Sequence, residues 1–209
     1  AAGRMGRRLV ANIAESEDLQ LTGATEWSGS EFLGLDAGSV AGVQPLGVKI
    51  TNDFAALVDN ADAVVDFSTG DVVANAKIAA AKGLAIVIGT TALTEENKAE
   101  LRKLTENGAR IVQATNFSVG VNLLFHLTKI ATGILSDGFD IEIVEAHHNK
   151  KKDAPSGTAL MLADEMQIGD IAIHSVRGGT IVGEHEIIFA GHDEIMEIKH
   201  TALSREIFA

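Results

Sequence analysis

Residues 61–89, ADAVVDFSTGDVVANAKIAAAKGLAIVIG, constrain the fold more than any other stretch. ADAVVDFS is a near-continuous apolar run, DVVANAKIAAAKG is alanine-rich and closes on Gly83, and LAIVIG is a second apolar run. Two strands buried on both faces and joined through a helix must be parallel, with a right-handed crossover. The span therefore predicts an open α/β sheet. Ligands of such sheets bind beyond the C-terminal ends of the strands, which marks Gly89, Thr90 and Thr91.

The flanks extend the pattern. TEENKAELRKLTENG at 94–108 has Thr94 as a helix cap, acids early, bases later and glycine at the end, a well-marked helix. RIVQATNF at 110–117 is the next strand and brings Ala114, Thr115, Asn116 and Phe117 to the same edge. Upstream, AAGRMGRRLVANIAES runs from a glycine turn into an amphipathic helix, and LQLTGATE reads as a strand ending in Glu26. An acid about 20 residues after a glycine turn is where a dinucleotide fold holds an adenosine ribose. The turn alone could equally be an ordinary helix start; with the acid, residues 1–117 read as a Rossmann-like dinucleotide-binding domain.

After Ser118 the character changes. VGVNLLFHLTKIATGIL at 119–135 is a helix, and FDIEIVEA places Phe139, Ile141 and Ile143 on one face of a strand and Asp140 and Glu142 on the other. IAIHSV, TIVGEHEIIFAG and EIMEIKHTA follow as alternating segments between glycine-containing turns, which predicts an antiparallel or mixed sheet. Residues 118–203 are thus expected to form an α+β domain for substrate binding and oligomerisation. The tail 204–209 is expected to return to the first domain.

Chemistry concentrates at 145–159, EAHHNKKKDAPSGTA. His147 and His148 stand at a strand end, and Lys151 lies four residues past His147. Ser156 can cap the helix that follows, leaving the N–H groups of Gly157 and Thr158 as an anion site. The parts suit a small carboxylate with a proton donor beside it. Taken singly, the histidines could be plain strand-end residues and Lys150–Lys152 a solvated basic run. A metal site built from His147, His148 and a distant His185 or His200 is possible on residue type alone, but no acidic or thiol ligand stands at useful spacing, and no metal is expected.

A formal net charge of −12 argues against nucleic acid or an anionic membrane as a partner. The absence of cysteine removes disulfides, thiolate metal sites and thioester chemistry. With no long apolar run and no signal-peptide pattern, a cytoplasmic location is expected.

The stretch 145–159 closely resembles the signature of the 4-hydroxy-tetrahydrodipicolinate reductase (dihydrodipicolinate reductase) family of lysine and diaminopimelate biosynthesis. The resemblance extends to GRMGR at 3–7, DFS at 66–68, GTT at 89–91, TNFSVGVN at 115–122 and VRGGTIVGEH at 176–185. It implies reduction of a cyclic dicarboxylate by NADH or NADPH, with loss of water, in a homotetramer. It implies His147 as catalytic and Lys151 as proton donor, with His148, Ser156, Gly157 and Thr158 on the substrate. Gly3, Arg4, Met5, Glu26, Gly89, Thr90, Thr91, Ala114, Thr115, Asn116 and Phe117 would hold the cofactor. The alternatives are another NAD(P)-dependent oxidoreductase of a small carboxylate, which would not need the His-His-Lys signature, and a non-catalytic dinucleotide-binding protein, against which the retained His147 and Lys151 speak.

The chain departs from the family pattern in several places. A first strand and first glycine are absent before Ala1, and the chain stops at REIFA, short of a closing helix. At Met166–Gln167 the family carries roughly twenty further residues rich in Arg and Gly, of the kind that form mobile active-site loops. Trp27 follows Glu26 where the family often has arginine, so NADH is expected to serve at least as well as NADPH, with the indole near the adenine. Ala92 replaces a glycine after GTT, with no expected effect.

Overall fold

The structure is a computed structural model that describes every residue except Ala92 and, at position 205, the backbone alone; the substitution noted at Ala92 lies outside the described residues. The chain divides into two compact units, Ala1–Thr115 with Ala209, and Asn116–Phe208.

In the first unit, helix α1 (Arg4–Glu15) precedes strand β1 (Ala24–Thr25), which pairs in parallel with β2 (Ile50–Thr51). Between them lies a short helix, α2 (Ala37–Ala41), capped by Asp36, whose carboxylate accepts from the N–H of Ser39 at 2.9 Å and of Gly47 at 2.7 Å. The strand read over LQLTGATE is confined to two residues because its pairing with β2 is only two residues long. Neither α2 nor β2 carries a clear period in the sequence.

The three-stranded sheet follows the expected pattern. Strands β3 (Ala63–Asp66), β4 (Ala85–Ile88) and β5 (Arg110–Gln113) pair in parallel in that order. Helix α3 (Val72–Ala81) makes the first crossover and α4 (Glu95–Glu106) the second. Asp71 caps α3 through the N–H of Ala74, and Thr94 forms a capping box with Asn97 on α4. Both helices run out into left-handed glycines, Gly83 (φ 70°) and Gly108 (φ 92°). Val72, Ala76, Ala79, Ile86, Ile88 and Leu101 form the core beneath them.

In the second unit, helix α5 (Val119–Leu135), capped by Ser118, is followed by β6 (Asp140–His147), α6 (Gly157–Met166), β7 (Ala172–Arg177), β8 (Gly183–Ala190) and β9 (Ile195–Ala202). The sheet order is β7-β6-β8-β9, parallel between β6 and β7 and antiparallel elsewhere, so it is mixed. A short 3-10 helix at Arg205–Phe208 ends this unit.

Strand side chains alternate with period two, so register decides what meets on each face. Ile173, Ile143, Ile187 and Ile198 align in one row across all four strands. With Leu124, Ala131, Leu162, Met166 and Phe189 they make the core under α5 and α6. Two residues further along β6 on the same face, the row changes character to Ser175, Glu145, His185 and His200. The polar site is a continuation of the hydrophobic core.

Candidate active site

Alternation along β6 puts Ile143, Glu145 and His147 on the helix-covered face, and all three are buried. A carboxylate 0% exposed is tolerable only with full pairing. Arg177, opposite His147 on β7, supplies it as a fork: Nη1 donates to Glu145 Oε2 at 2.8 Å and Nη2 to Oε1 at 2.6 Å. Nη2 also donates to the carbonyl of Asp153 at 2.7 Å, tying the following loop to the same guanidinium. Burial pushes the Glu145 carboxyl up, but hydrogen bonds from Arg177, Ser175 and His147 overwhelm it and hold the group at about 2.

His147 Nδ1 stands 2.5 Å from Glu145 Oε2. A carboxylate can only accept, so Nδ1 carries the hydrogen and Nε2 is the nitrogen left for chemistry. Burial lowers the pKa of His147; Glu145 opposes this, while Lys151 and Arg177 add to it, and the net direction is down. Gly183 lies close beside the ring, where a Cβ would stand a tight 3.2 Å from Nε2.

Beyond His147 the chain turns back on itself. The N–H of Lys151 donates to the carbonyl of His148 at 3.0 Å, and that of Gly178 to the carbonyl of His147 at 2.9 Å. Lys151 Nζ, part-buried, pairs with Asp153 Oδ2 at 2.8 Å. His148 is half-buried.

Ser156 caps α6 as read from the sequence, its Oγ accepting from the N–H of Ala159 at 3.2 Å. Its own N–H donates to Glu145 Oε1 at 3.2 Å. The start of α6 is therefore tied to the carboxylate that orients His147. Gly157 is exposed and Thr158 half-buried, and their N–H groups lie in the first turn, where a helix has no internal acceptors. His147, Lys151, Ser156, Gly157 and Thr158 are thus gathered in one unit. Residue type and spacing single out neither Glu145 nor Arg177, and offer His185 only as a distant metal ligand. Alternation from Ile143 to Glu145 and His147 was the available signal for Glu145. Among the described residues no three His, Cys, Asp or Glu side chains group as a metal site.

The expected cofactor residues of the first unit lie at loop and helix ends. Gly3 is the N-cap of α1 with no side-chain hydrogen bond, so the first-turn N–H groups near Arg4 and Met5 are not capped by Gly3 itself. Gly6 is required by packing: a Cβ there would fall 2.3 Å from the carbonyl oxygen of Ala1. Glu26, just past β1, accepts the N–H of Ala2 at 2.6 Å and the amino group of Ala1 at 2.9 Å through Oε1. Past β3 and β4, Gly89 donates to the carbonyl of Asp66 at 2.9 Å, and Thr90 Oγ1 to that of Ser68 at 2.7 Å. Thr91 is exposed. Ala114 donates to the carbonyl of Ile88 at 3.1 Å, and Thr115 beyond it is exposed. In the second unit, Asn116 Oδ1 accepts from Ser118 N–H at 2.9 Å and Phe117 is half-buried. An uncapped helix start after a glycine turn and an acid one strand later fit a dinucleotide.

Similarity to known proteins bears on these features. The family model described as dihydrodipicolinate reductase, N-terminus, matches residues 1–117, and that described as dihydrodipicolinate reductase, C-terminus, matches residues 120–209. The 4-hydroxy-tetrahydrodipicolinate reductase of Rhodopseudomonas palustris (strain HaA2) is 44% identical, with all of this chain and 86% of that protein covered. The one from Syntrophotalea carbinolica is also 44% identical, covering all of this chain and 87% of that protein. Both alignments run over 233 positions against 209 residues here, so these relatives are longer within the matched span. A dipicolinate-bound dihydrodipicolinate reductase from Paenisporosarcina sp. TG-14 superposes with a TM-score of 0.82 at 25% identity, covering 99% of this chain and 86% of that one. On sequence across both units, the chain belongs to the dihydrodipicolinate reductase family.

Proposed function

We propose that the protein reduces 4-hydroxy-tetrahydrodipicolinate to tetrahydrodipicolinate, with loss of water, in lysine and diaminopimelate biosynthesis. The observation that carries this reading is the Glu145–His147 pair, clamped by Arg177 and joined through Ser156 to the start of helix α6. NADH or NADPH, when bound, supplies the hydride. Gly3, Arg4, Met5, Glu26, Gly89, Thr90, Thr91, Ala114, Thr115, Asn116 and Phe117 are the residues that would hold it.

A substrate carboxylate is held by the N–H groups of Gly157 and Thr158, with His148 and Ser156 beside them. Loss of water from the hydroxylated ring leaves a conjugated imine. Hydride addition to its conjugated carbon moves negative charge toward the adjacent carbon and the ring nitrogen. The Lys151 ammonium stabilises that charge and gives up its proton to quench it. His147, held with the Nε2 lone pair available, is the second group able to relay the proton. Glu145 and His147 lie in the buried part of the site, where a low dielectric strengthens their pairing.

Helices α5 and α6 cover the sheet face bearing Ile143, Ile187 and Phe189, while register puts Val144, Ile188 and the exposed Ile195 on the other, interspersed with Glu142, Glu186, Glu197 and Lys199. That second face supports assembly into a homotetramer through the sheet. No helix among the described residues is long and apolar enough to cross a membrane, and a cytoplasmic site of action is part of the proposal.

The test is oxidation of NADH and NADPH with freshly prepared substrate, beside His147→Ala and Lys151→Ala. Turnover falling by ~10²-fold or more in each variant is the expected result. Cofactor binding without turnover in the unmutated protein would overturn the assignment. Sedimentation at micromolar concentration should give four times the monomer mass.

A further inference from the structure

One member of the polar row has no part in the chemistry above. His185 on β8 is 4% exposed, and its Nε2 lies 3.1 Å from Ser156 Oγ, the oxygen that caps α6. Ser156 is thereby gripped from two neighbouring strands: its N–H by Glu145 on β6 and its hydroxyl by His185 on β8. One attachment would leave the residue free to swing about a single contact; two fix its position. The His185 ring also stands edge-on to that of His147, with centroids 5.2 Å apart and planes at 73°.

The placement carries a cost. His185 Nδ1 is buried without a hydrogen-bond partner among the described residues. A buried polar nitrogen left unpaired destabilises a fold, and an apolar side chain of similar volume would avoid the penalty. What the imidazole provides in exchange is the contact to Ser156. Burial, with the nearby His147, holds its pKa down at about 4, so the ring stays neutral and adds no charge beside His147 and Lys151.

We propose that His185 is a positioning residue that, through Ser156, fixes the anion-binding start of α6 relative to Glu145 and His147. The identity of the anion rests on the functional reading above; the mechanical role does not. Because His185 acts on the helix start, its loss should show in substrate affinity more than in turnover.

The experiment compares His185→Leu, which removes the contact, with His185→Gln, which keeps a polar group able to reach Ser156. Calorimetry with dipicolinate as the probe should show binding weakened ~10-fold in His185→Leu and largely restored in His185→Gln. KM for the substrate should rise in parallel while kcat stays within ~3-fold and NADH affinity is unchanged. Dipicolinate binding unaltered in His185→Leu would overturn the proposal, as would an equal loss of NADH affinity, which signals general loosening. In the ligand-free protein, amide exchange at Ala159 and Leu160 should quicken in His185→Leu and not in His185→Gln. If the unmutated protein neither binds dipicolinate nor oxidises reduced nicotinamide, the functional reading fails, and the exchange rates decide on His185 alone.

Discussion

Glu145 Oε2 and His147 Nδ1 lie 2.5 Å apart on the buried face of one strand, and the same carboxylate is forked by Arg177 from the next. The histidine's tautomer, the loop carbonyl of Asp153 and the cap of α6 all depend on that one acid. In Glu145→Gln, an amide donor replaces a carboxylate oxygen, so His147 loses its fixed tautomer and Arg177 its counter-charge. Steady-state assays should show kcat/KM down by about 10²-fold, with NADH affinity unchanged.

Stability should fall with acid in two stages. His185 is held at about 4 and His147 is also held below its ordinary 6.5, so the unfolded chain takes up these protons first and stability drops as pH falls from 6.5 toward 4. Glu145 is held at about 2 against 4.5, and its contribution, present in full above 4.5, is lost as pH falls toward 2. Each step is on the order of 3 kcal/mol. Denaturant titrations between pH 7 and 3 check this, and His185→Gln should shrink the upper stage to the part that His147 contributes. An unchanged profile in that variant would mean another group titrates there.

The Lys151–Asp153 ion pair predicts a different kind of effect. Asp153 is largely exposed, and its bond to the lysine keeps its carboxyl below the usual range. Asp153→Asn should release the ammonium with only a small change in rate, about 2- to 5-fold, while Lys151→Ala loses far more. Comparable losses from the two would make Asp153 part of the chemistry.

Trp27 is 70% exposed immediately after Glu26, with its ring lying over Gly29, where a Cβ would come within 2.0 Å of Cζ3. An indole carries no positive charge to pair with a 2′-phosphate. NADH should therefore be used at least as well as NADPH, and Trp27→Arg should raise kcat/KM for NADPH relative to NADH by ~10-fold. A more than tenfold preference for NADPH in the unmutated protein would sink this.

Gln167 ends α6 in the left-handed region at φ 52°. That conformation favours glycine, so Gln167→Gly should stabilise the fold by about 0.5–1 kcal/mol, read as a rise in denaturation midpoint.

Much of this architecture was legible because its elements carry strong periods and caps. The span 119–135 is a helix over the residues expected, and Thr94 and Ser156 cap as read. The region from 27 to 60 was opaque: its helix has five residues, its strand two, and Asp36 holds it together through backbone contacts up to eleven residues away. At the site, His147, Lys151 and Ser156 announced themselves by type. Glu145 and Arg177 did not, because their partnership spans 32 residues and exists only through the β6–β7 register. His185 was hidden for the same reason.

The row of four isoleucines and the polar row beside it share one face of one sheet. A single residue inserted or deleted in β6 ahead of Ile143 would turn Glu145 and His147 outward together with the isoleucine. Length changes in this strand must either keep its parity or be absorbed as a β-bulge, so lineages of this protein should vary more in loop length on either side of β6 than in the strand itself.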